Sequence, residues 1–124
     1  MRQRLREALL FIHRHRVEKG YIPSYRELGV ACGSAGGSGA SNHAAELVAQ
    51  LVAAGCVRVP VADNGRRRAR CLVIDYESEA TWDVLYRWEV ARTGGFAEYL
   101  EGELPPPDVR RRVLLGLAEE ATRG

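Results

Sequence analysis

The chain has 124 residues, a formal net charge of +2 and a hydrophobic fraction of 46%, which suits one domain or one small domain with an appendage. It has no run of about 18 apolar residues and no apolar core near its N-terminus that resembles a signal peptide, so we expect a cytoplasmic protein without a membrane span. Its three cysteines, Cys32, Cys56 and Cys71, include no C-x-x-C pair, which argues against disulfides and against a metal site. We expect buried thiols and no cofactor.

Charge is divided unevenly along the chain. Residues 1–75 hold 12 lysines and arginines against 6 acidic residues, whereas residues 76–124 hold 6 against 10. A basic first part predicts an anionic partner, such as double-stranded DNA, for that part of the chain.

The first helix is predicted from about residue 2 to residue 19. Apolar residues recur there at helical spacing, namely Leu5, Ala8, Leu9 and Ile12. His13 and His15 are two positions apart and point in different directions on a helix, so they do not form a metal pair. We predict that both histidines lie on a solvated face.

The segment KGYIPSYREL, residues 19–28, combines a helix stop, a tight connection and a helix start. Gly20 can adopt the left-handed conformation that ends a helix. Ser24 and Glu27 form an S-x-x-E capping box, in which each side chain accepts a hydrogen bond from a backbone N–H at the new helix start. Such a joint is typical of a helix-turn-helix scaffold.

Two more helices are predicted after this joint. A short one covers residues 25–32, and a stretch of glycine and small residues follows at 34–41. The third helix is predicted over residues 42–54 with Ser41 as its N-cap. Its apolar positions fit one continuous helical stripe: Ala44, Leu47, Val48, Leu51 and Val52. The opposite face carries short, polar side chains, which lets the helix approach another surface closely.

Two strands are predicted at residues 56–61 and 70–75, and Asn64-Gly65 between them is a strong hairpin signal because both residues tolerate positive φ. The hairpin carries four arginines at its tip and on its return strand: Arg66, Arg67, Arg68 and Arg70. The predicted fold is therefore mostly α with a small β-hairpin. We interpret residues 1–75 as a winged helix-turn-helix domain.

Residues 76–124 are predicted to form a helical C-terminal extension. One helix covers about residues 78–92, and a last helix follows the three prolines 105–107 with Asp108 as its cap. We predict a dimerisation or partner-binding surface formed by Trp82, Trp88, Val113, Leu114 and Leu117. The alternative is that the same apolar stripe docks on its own domain.

The segments at residues 8–33 and 41–59, together with the hairpin, resemble the DNA-binding domain of the LexA family, the SOS repressors. The family pattern has a G-x-x-P-[ST]-x-x-[ED]-[IL] joint, a recognition helix with an N-terminal asparagine, a glycine exit and a wing. The resemblance covers about residues 4–75. It implies a winged helix, and it implies that Asn42, Ala45 and Glu46 face the bases of DNA.

The sequence departs from the family pattern in three respects. The stretch between the second and third helices is about four residues longer, and Arg16 occupies a position that is usually apolar in the family. The family's self-cleaving peptidase uses a Ser-Lys dyad, whereas Lys19 is the only lysine of this chain. We therefore expect no self-cleavage, and the extension is unrelated to the family's peptidase domain.

The predicted function is sequence-specific DNA binding by a transcriptional repressor or other regulator. The third helix enters the major groove. The predicted contacts to the DNA backbone are Arg26, Ser41, His43, Arg66, Arg67, Arg68 and Arg70. The arginine-rich wing is predicted to lie along the backbone or in the adjacent minor groove. The alternative is a protein-interaction module that binds RNA polymerase or another regulator, because the third helix contains no arginine. We expect no enzymatic activity, since Ser24, Cys32 and His43 each have a structural explanation.

Overall fold

The computed structural model describes residues 2–33, 38–60, 72–93 and 104–123. Within these ranges the chain forms five helices and one two-stranded antiparallel sheet, so the predicted mostly helical class is confirmed. The elements in chain order are α1 (Gln3–Lys19), α2 (Tyr25–Ala31), α3 (Ser38–Ala53), β1 (Val57–Arg58), β2 (Val73–Ile74), α4 (Glu79–Thr93) and α5 (Pro107–Arg123).

The joint between α1 and α2 is the one that the sequence predicts. Gly20 ends α1 in the left-handed region at φ 83°, and its N–H donates to the carbonyl of Arg16 at 2.8 Å. The Ser24 hydroxyl accepts from the N–H of Glu27, and the Glu27 carboxylate accepts from the N–H of Ser24, both at 3.1 Å. The capping box is confirmed, and it fixes where α2 begins.

Helix α3 begins at Ser38, earlier than the sequence predicts. The prediction of Ser41 as the N-cap is wrong, because Ser41 lies inside the helix. The first turn of α3 packs against α2, where Ala40 is fully buried and contacts the backbone at Gly29. This contact between two small residues extends the helix through a serine- and glycine-containing segment that has little helical propensity of its own.

The sheet is short. Val57 pairs with Ile74 and Arg58 pairs with Val73, and the N–H of Asp75 donates to the carbonyl of Cys56 at 2.8 Å. The predicted strands at 56–61 and 70–75 are longer than the two-residue strands that form. The predicted Asn64-Gly65 turn and Arg66, Arg67, Arg68 and Arg70 lie outside the described residues.

Helices α4 and α5 pack on α1 and on each other, so both halves of the chain contribute to one hydrophobic core. The predicted boundary at residue 75 does not separate two cores. The prediction that Asp108 caps the last helix is wrong: α5 begins at Pro107, and the N–H of Arg110 donates to the carbonyl of Pro106 at 2.9 Å. Proline suits this first helical position because its missing N–H would have no partner inside the helix.

Three residues predicted to meet a partner are instead core residues of their own chain. Trp82, Val113 and Leu114 are buried, and Trp82 stacks on Tyr86 with ring centroids 5.0 Å apart. Their interpretation as a dimer or partner surface is therefore wrong, because their apolar area is already removed from water. Trp88 is half-buried, and the side chain of Leu117 lies outside the described side chains.

The described helices include none that is both long and apolar enough to cross a lipid bilayer.

Candidate nucleic-acid interface

The three residues predicted to face DNA bases lie together on the exposed side of α3. Asn42, Ala45 and Glu46 are all exposed, and so are Ala49 and Gln50 one turn later. The opposite side of the helix is buried through Ala44, Leu47, Val48 and Leu51. This exposed face combines the polar side chains of Asn42, Glu46 and Gln50 with the small side chains of Ala45 and Ala49.

This exposed face carries little positive charge of its own. The range of α3 contains no lysine or arginine, Glu46 is acidic, and His43 is half-buried. Any attraction of α3 to a polyanion must therefore come from its neighbours.

Two arginines at the start of α1, its N-cap Arg2 and Arg4 in its first turn, supply positive charge beside this face. A hollow of about 220 Å³ is lined by Arg2 and Arg4 together with His43, Glu46 and Gln50. Both arginines are exposed. Neither residue is among the DNA contacts predicted from the sequence. The contact between the start of α1 and α3 is a tertiary one, and no motif indicates it.

Arg26 and Ser41, which are also predicted to contact the DNA backbone, lie in different helices. Arg26 is exposed in the first turn of α2, which leaves it accessible to a ligand. Ser41 is part of α3, and its side chain lies outside the described side chains.

A cluster of buried polar side chains connects α1 to α4. His13 and Glu89 are both fully buried (0% exposed), and His13 Nε2 contacts the Glu89 carboxylate. His13 Nδ1 lies 2.9 Å from the hydroxyl of Tyr76. The prediction that His13 lies on a solvated face is therefore wrong. Its position, four residues after Leu9, belongs to the apolar stripe, and the polar residue type concealed that signal.

The chemistry of this cluster assigns its protons. A carboxylate only accepts hydrogen bonds, so His13 Nε2 carries a proton and donates to Glu89. Burial raises the pKa of Tyr76 to about 12, partly offset by the charge of Arg16. The Tyr76 hydroxyl therefore keeps its proton, and it shares a hydrogen bond with His13 Nδ1. The cluster satisfies its polar groups internally and serves to position α4.

His15 is buried as well, and it braces the joint between α1 and α2. Its Nδ1 lies 2.8 Å from the carbonyl of Tyr21, and its Nε2 lies 3.3 Å from the Glu27 carboxylate. The ring of Tyr21 packs edge-on against the imidazole at 5.1 Å between centroids. The prediction that His15 is solvated is also wrong, here because the chain that follows α1 covers the end of the helix.

The capping box gives the fold a dependence on pH through Glu27. Hydrogen bonds from the Ser24 backbone and hydroxyl lower the pKa of Glu27 below its ordinary value of 4.5, and His15 adds to this effect. A carboxyl with a lowered pKa stabilises the fold above its unfolded pKa and loses that contribution as the pH falls through the folded pKa. We expect Glu27→Gln to make the free energy of unfolding fall less steeply between about pH 5 and pH 3, as measured by urea denaturation.

Glutamine at this position can still accept the Ser24 N–H bond, so the variant should fold at neutral pH. If the free energy of unfolding fell equally steeply with pH in the variant and the wild type, the assigned role of Glu27 would be contradicted. Ser24→Ala should cost about 1 kcal/mol at neutral pH, because it removes the other half of the box.

The described residues offer no metal centre, since they contain no group of three metal-ligating side chains. Cys56 is buried and Cys32 is half-buried, and burial raises the pKa of both thiols. Neutral, partly or fully covered thiols of this kind are poor nucleophiles.

Comparison with protein-family models, with curated proteins and with solved structures gives no match to this chain.

Proposed function

We propose that this chain is a sequence-specific DNA-binding regulator of the winged-helix type, with α3 as its reading helix. The observation that carries the proposal is the exposed polar face of α3, which presents Asn42, Ala45 and Glu46 on one side. An asparagine on the exposed face of such a helix can form two hydrogen bonds to adenine in the major groove. The small neighbouring side chains let the helix backbone come close to the bases.

The surroundings of α3 support the same proposal. Helix α2 supports α3 through the close contact of Gly29 with Ala40, and the capped joint fixes α2 on α1. A reading helix needs this rigid support, because base recognition depends on its orientation. Arg2 and Arg4 lie beside the exposed face, where they can bind the phosphates that flank a groove.

The proposal is tested by fluorescence anisotropy with mixed-sequence duplex DNA at about 50 mM salt. We expect binding that weakens as salt is added, because each neutralised phosphate releases a counterion. Arg2→Ala combined with Arg4→Ala should lower the slope of log K against log salt by roughly 2 units, at about 0.9 per phosphate contact.

A charge-matched control is Arg14→Ala combined with Arg87→Ala, which removes two exposed arginines of α1 and α4. This control should keep the wild-type salt slope. An equal loss of slope in both double variants would mean that Arg2 and Arg4 act only through net charge, and absence of binding would refute the proposal.

A protein-interaction module is the second candidate. Helix α3 has no basic side chain, while Val30 of α2 and Val52 of α3 are 48% and 43% exposed. Exposed apolar side chains on supporting and reading helices suit a protein partner, such as RNA polymerase or another regulator, better than a polyanion. Absence of DNA binding at low salt would place this candidate first.

A further inference from the structure

A cleft of about 480 Å³ lies between the sheet and α5, apart from the proposed DNA contacts. Its apolar lining consists of Ile22, Leu72, Val73, Ile74 and Leu115. Of these, Val73 of β2 is 41% exposed. Small-molecule sites typically have volumes of about 300–1,000 Å³, with mostly apolar walls and a few polar groups. The cleft therefore has the size of a small-molecule site, and its lining combines these apolar side chains with charged ones.

Three arginines from three different elements also line this cleft: Arg16 of α1, Arg58 of β1 and Arg111 of α5. Two carboxylates, Asp75 and Glu77, oppose them, so the lining is positive by one charge. One oxygen of Asp75 already accepts the N–H of Glu77 at 3.0 Å. The cleft favours an anion over a cation.

Two of these arginines have unused donors. Arg58 and Arg111 are exposed, and neither side chain forms a hydrogen bond or an ion pair within the described part of the chain. A guanidinium group presents a planar fork of N–H donors that matches a carboxylate or phosphate. Because both side chains line the same cleft, both can offer N–H donors to an anion bound there.

The third arginine is already held in place. The guanidinium of Arg16 lies 5.8 Å from the centre of the Tyr76 ring and hydrogen-bonds to that residue. Tyr76 is in turn fixed by its hydrogen bond to His13. This end of the cleft is pre-organised, which lowers the entropy that a ligand must lose on binding.

We propose that this cleft binds a small organic anion with an apolar body. Its carboxylate, sulfonate or phosphate group pairs with Arg58 and Arg111, and its apolar body packs on Leu72 and Leu115. The proposal does not depend on DNA binding, because none of these residues belongs to the proposed DNA contacts.

Anilinonaphthalene sulfonate is a suitable probe, since it joins an aromatic body to a single anionic group and becomes fluorescent on binding. We expect saturable binding with one site per chain. Arg58→Ala combined with Arg111→Ala should weaken it at least about tenfold, because two charge-assisted hydrogen-bonding partners are removed. The control pair Arg14→Ala and Arg87→Ala should retain wild-type affinity.

The uncharged dye N-phenylnaphthylamine separates the anion site from general dye binding, and its affinity should be equal in the wild type and in the Arg58/Arg111 variant. Thermal unfolding of each variant checks that the fold is kept, and Arg111→Gln replaces the double variant if the latter does not fold. Absence of saturable sulfonate binding would overturn the proposal. Equal sulfonate affinity in the wild type and the arginine variants would overturn it as well.

Discussion

Gly29→Ala should destabilise the fold by about 3 kcal/mol or more, because it adds a methyl group where two helices meet. A Cβ at this position would overlap the carbonyl oxygen of Ala40 and lie 2.6 Å from its carbonyl carbon. Both atoms belong to the backbone of α3, so relief requires a shift of the whole helix. Urea denaturation monitored by circular dichroism measures the loss.

Gly39→Ala is the matched control for this experiment. Gly39 also lies in a helix, but a Cβ there meets nothing within 4 Å. Alanine should stabilise this position by roughly 0.5–1 kcal/mol through its higher helix propensity. If Gly29→Ala were as stable as Gly39→Ala, the proposed close crossing of α2 and α3 would be refuted.

The second large effect concerns the buried pair of His13 and Glu89. We expect Glu89→Leu to lower the free energy of unfolding by about 3 kcal/mol, because His13 Nε2 loses its acceptor in a site without water access. His13→Leu should have an effect of similar size for the reciprocal reason. The double variant should be less destabilised than the sum of the two, with a coupling of about 1–3 kcal/mol in a double-mutant cycle.

An exposed ion pair between the same two helices provides the control. Arg6 of α1 and Asp83 of α4 lie 3.0 Å apart, with side chains 36% and 66% exposed. Asp83→Ala should cost less than about 1 kcal/mol, since water and salt screen exposed pairs. Similar losses for Glu89→Leu and Asp83→Ala would contradict the role of burial.

The parts of the fold that the sequence predicts well are those encoded locally. Gly20, Ser24 and Glu27 act within a few residues of one another, so their pattern indicates the joint directly. The apolar stripe of α3 likewise predicts the buried side of the helix, and Asn42 lies on the exposed side. The prediction is wrong only at the end of the stripe, where Val52 is 43% exposed. The spacing of apolar residues is sufficient to predict the exposed side of a helix, because that side depends on the sequence of the one helix.

The features that were missed depend on contacts between distant elements. The early start of α3 results from Ala40 packing on Gly29, and neither residue carries a signal for that contact. His13 occupies an apolar position of α1, but its partner Glu89 lies 76 residues later. In the candidate site, the proximity of Arg2 and Arg4 to α3 also depends on packing between elements that are far apart in the sequence.

The His13 cluster also affects the order in which parts of the fold can form during synthesis. Helix α1 is synthesised first, yet His13 finds Tyr76 after 63 residues and Glu89 after 76. Contacts this far apart along the chain carry a large loop-closure cost and form slowly. On the ribosome, the buried side of α1 therefore remains incomplete until α4 has been translated and released from the exit tunnel.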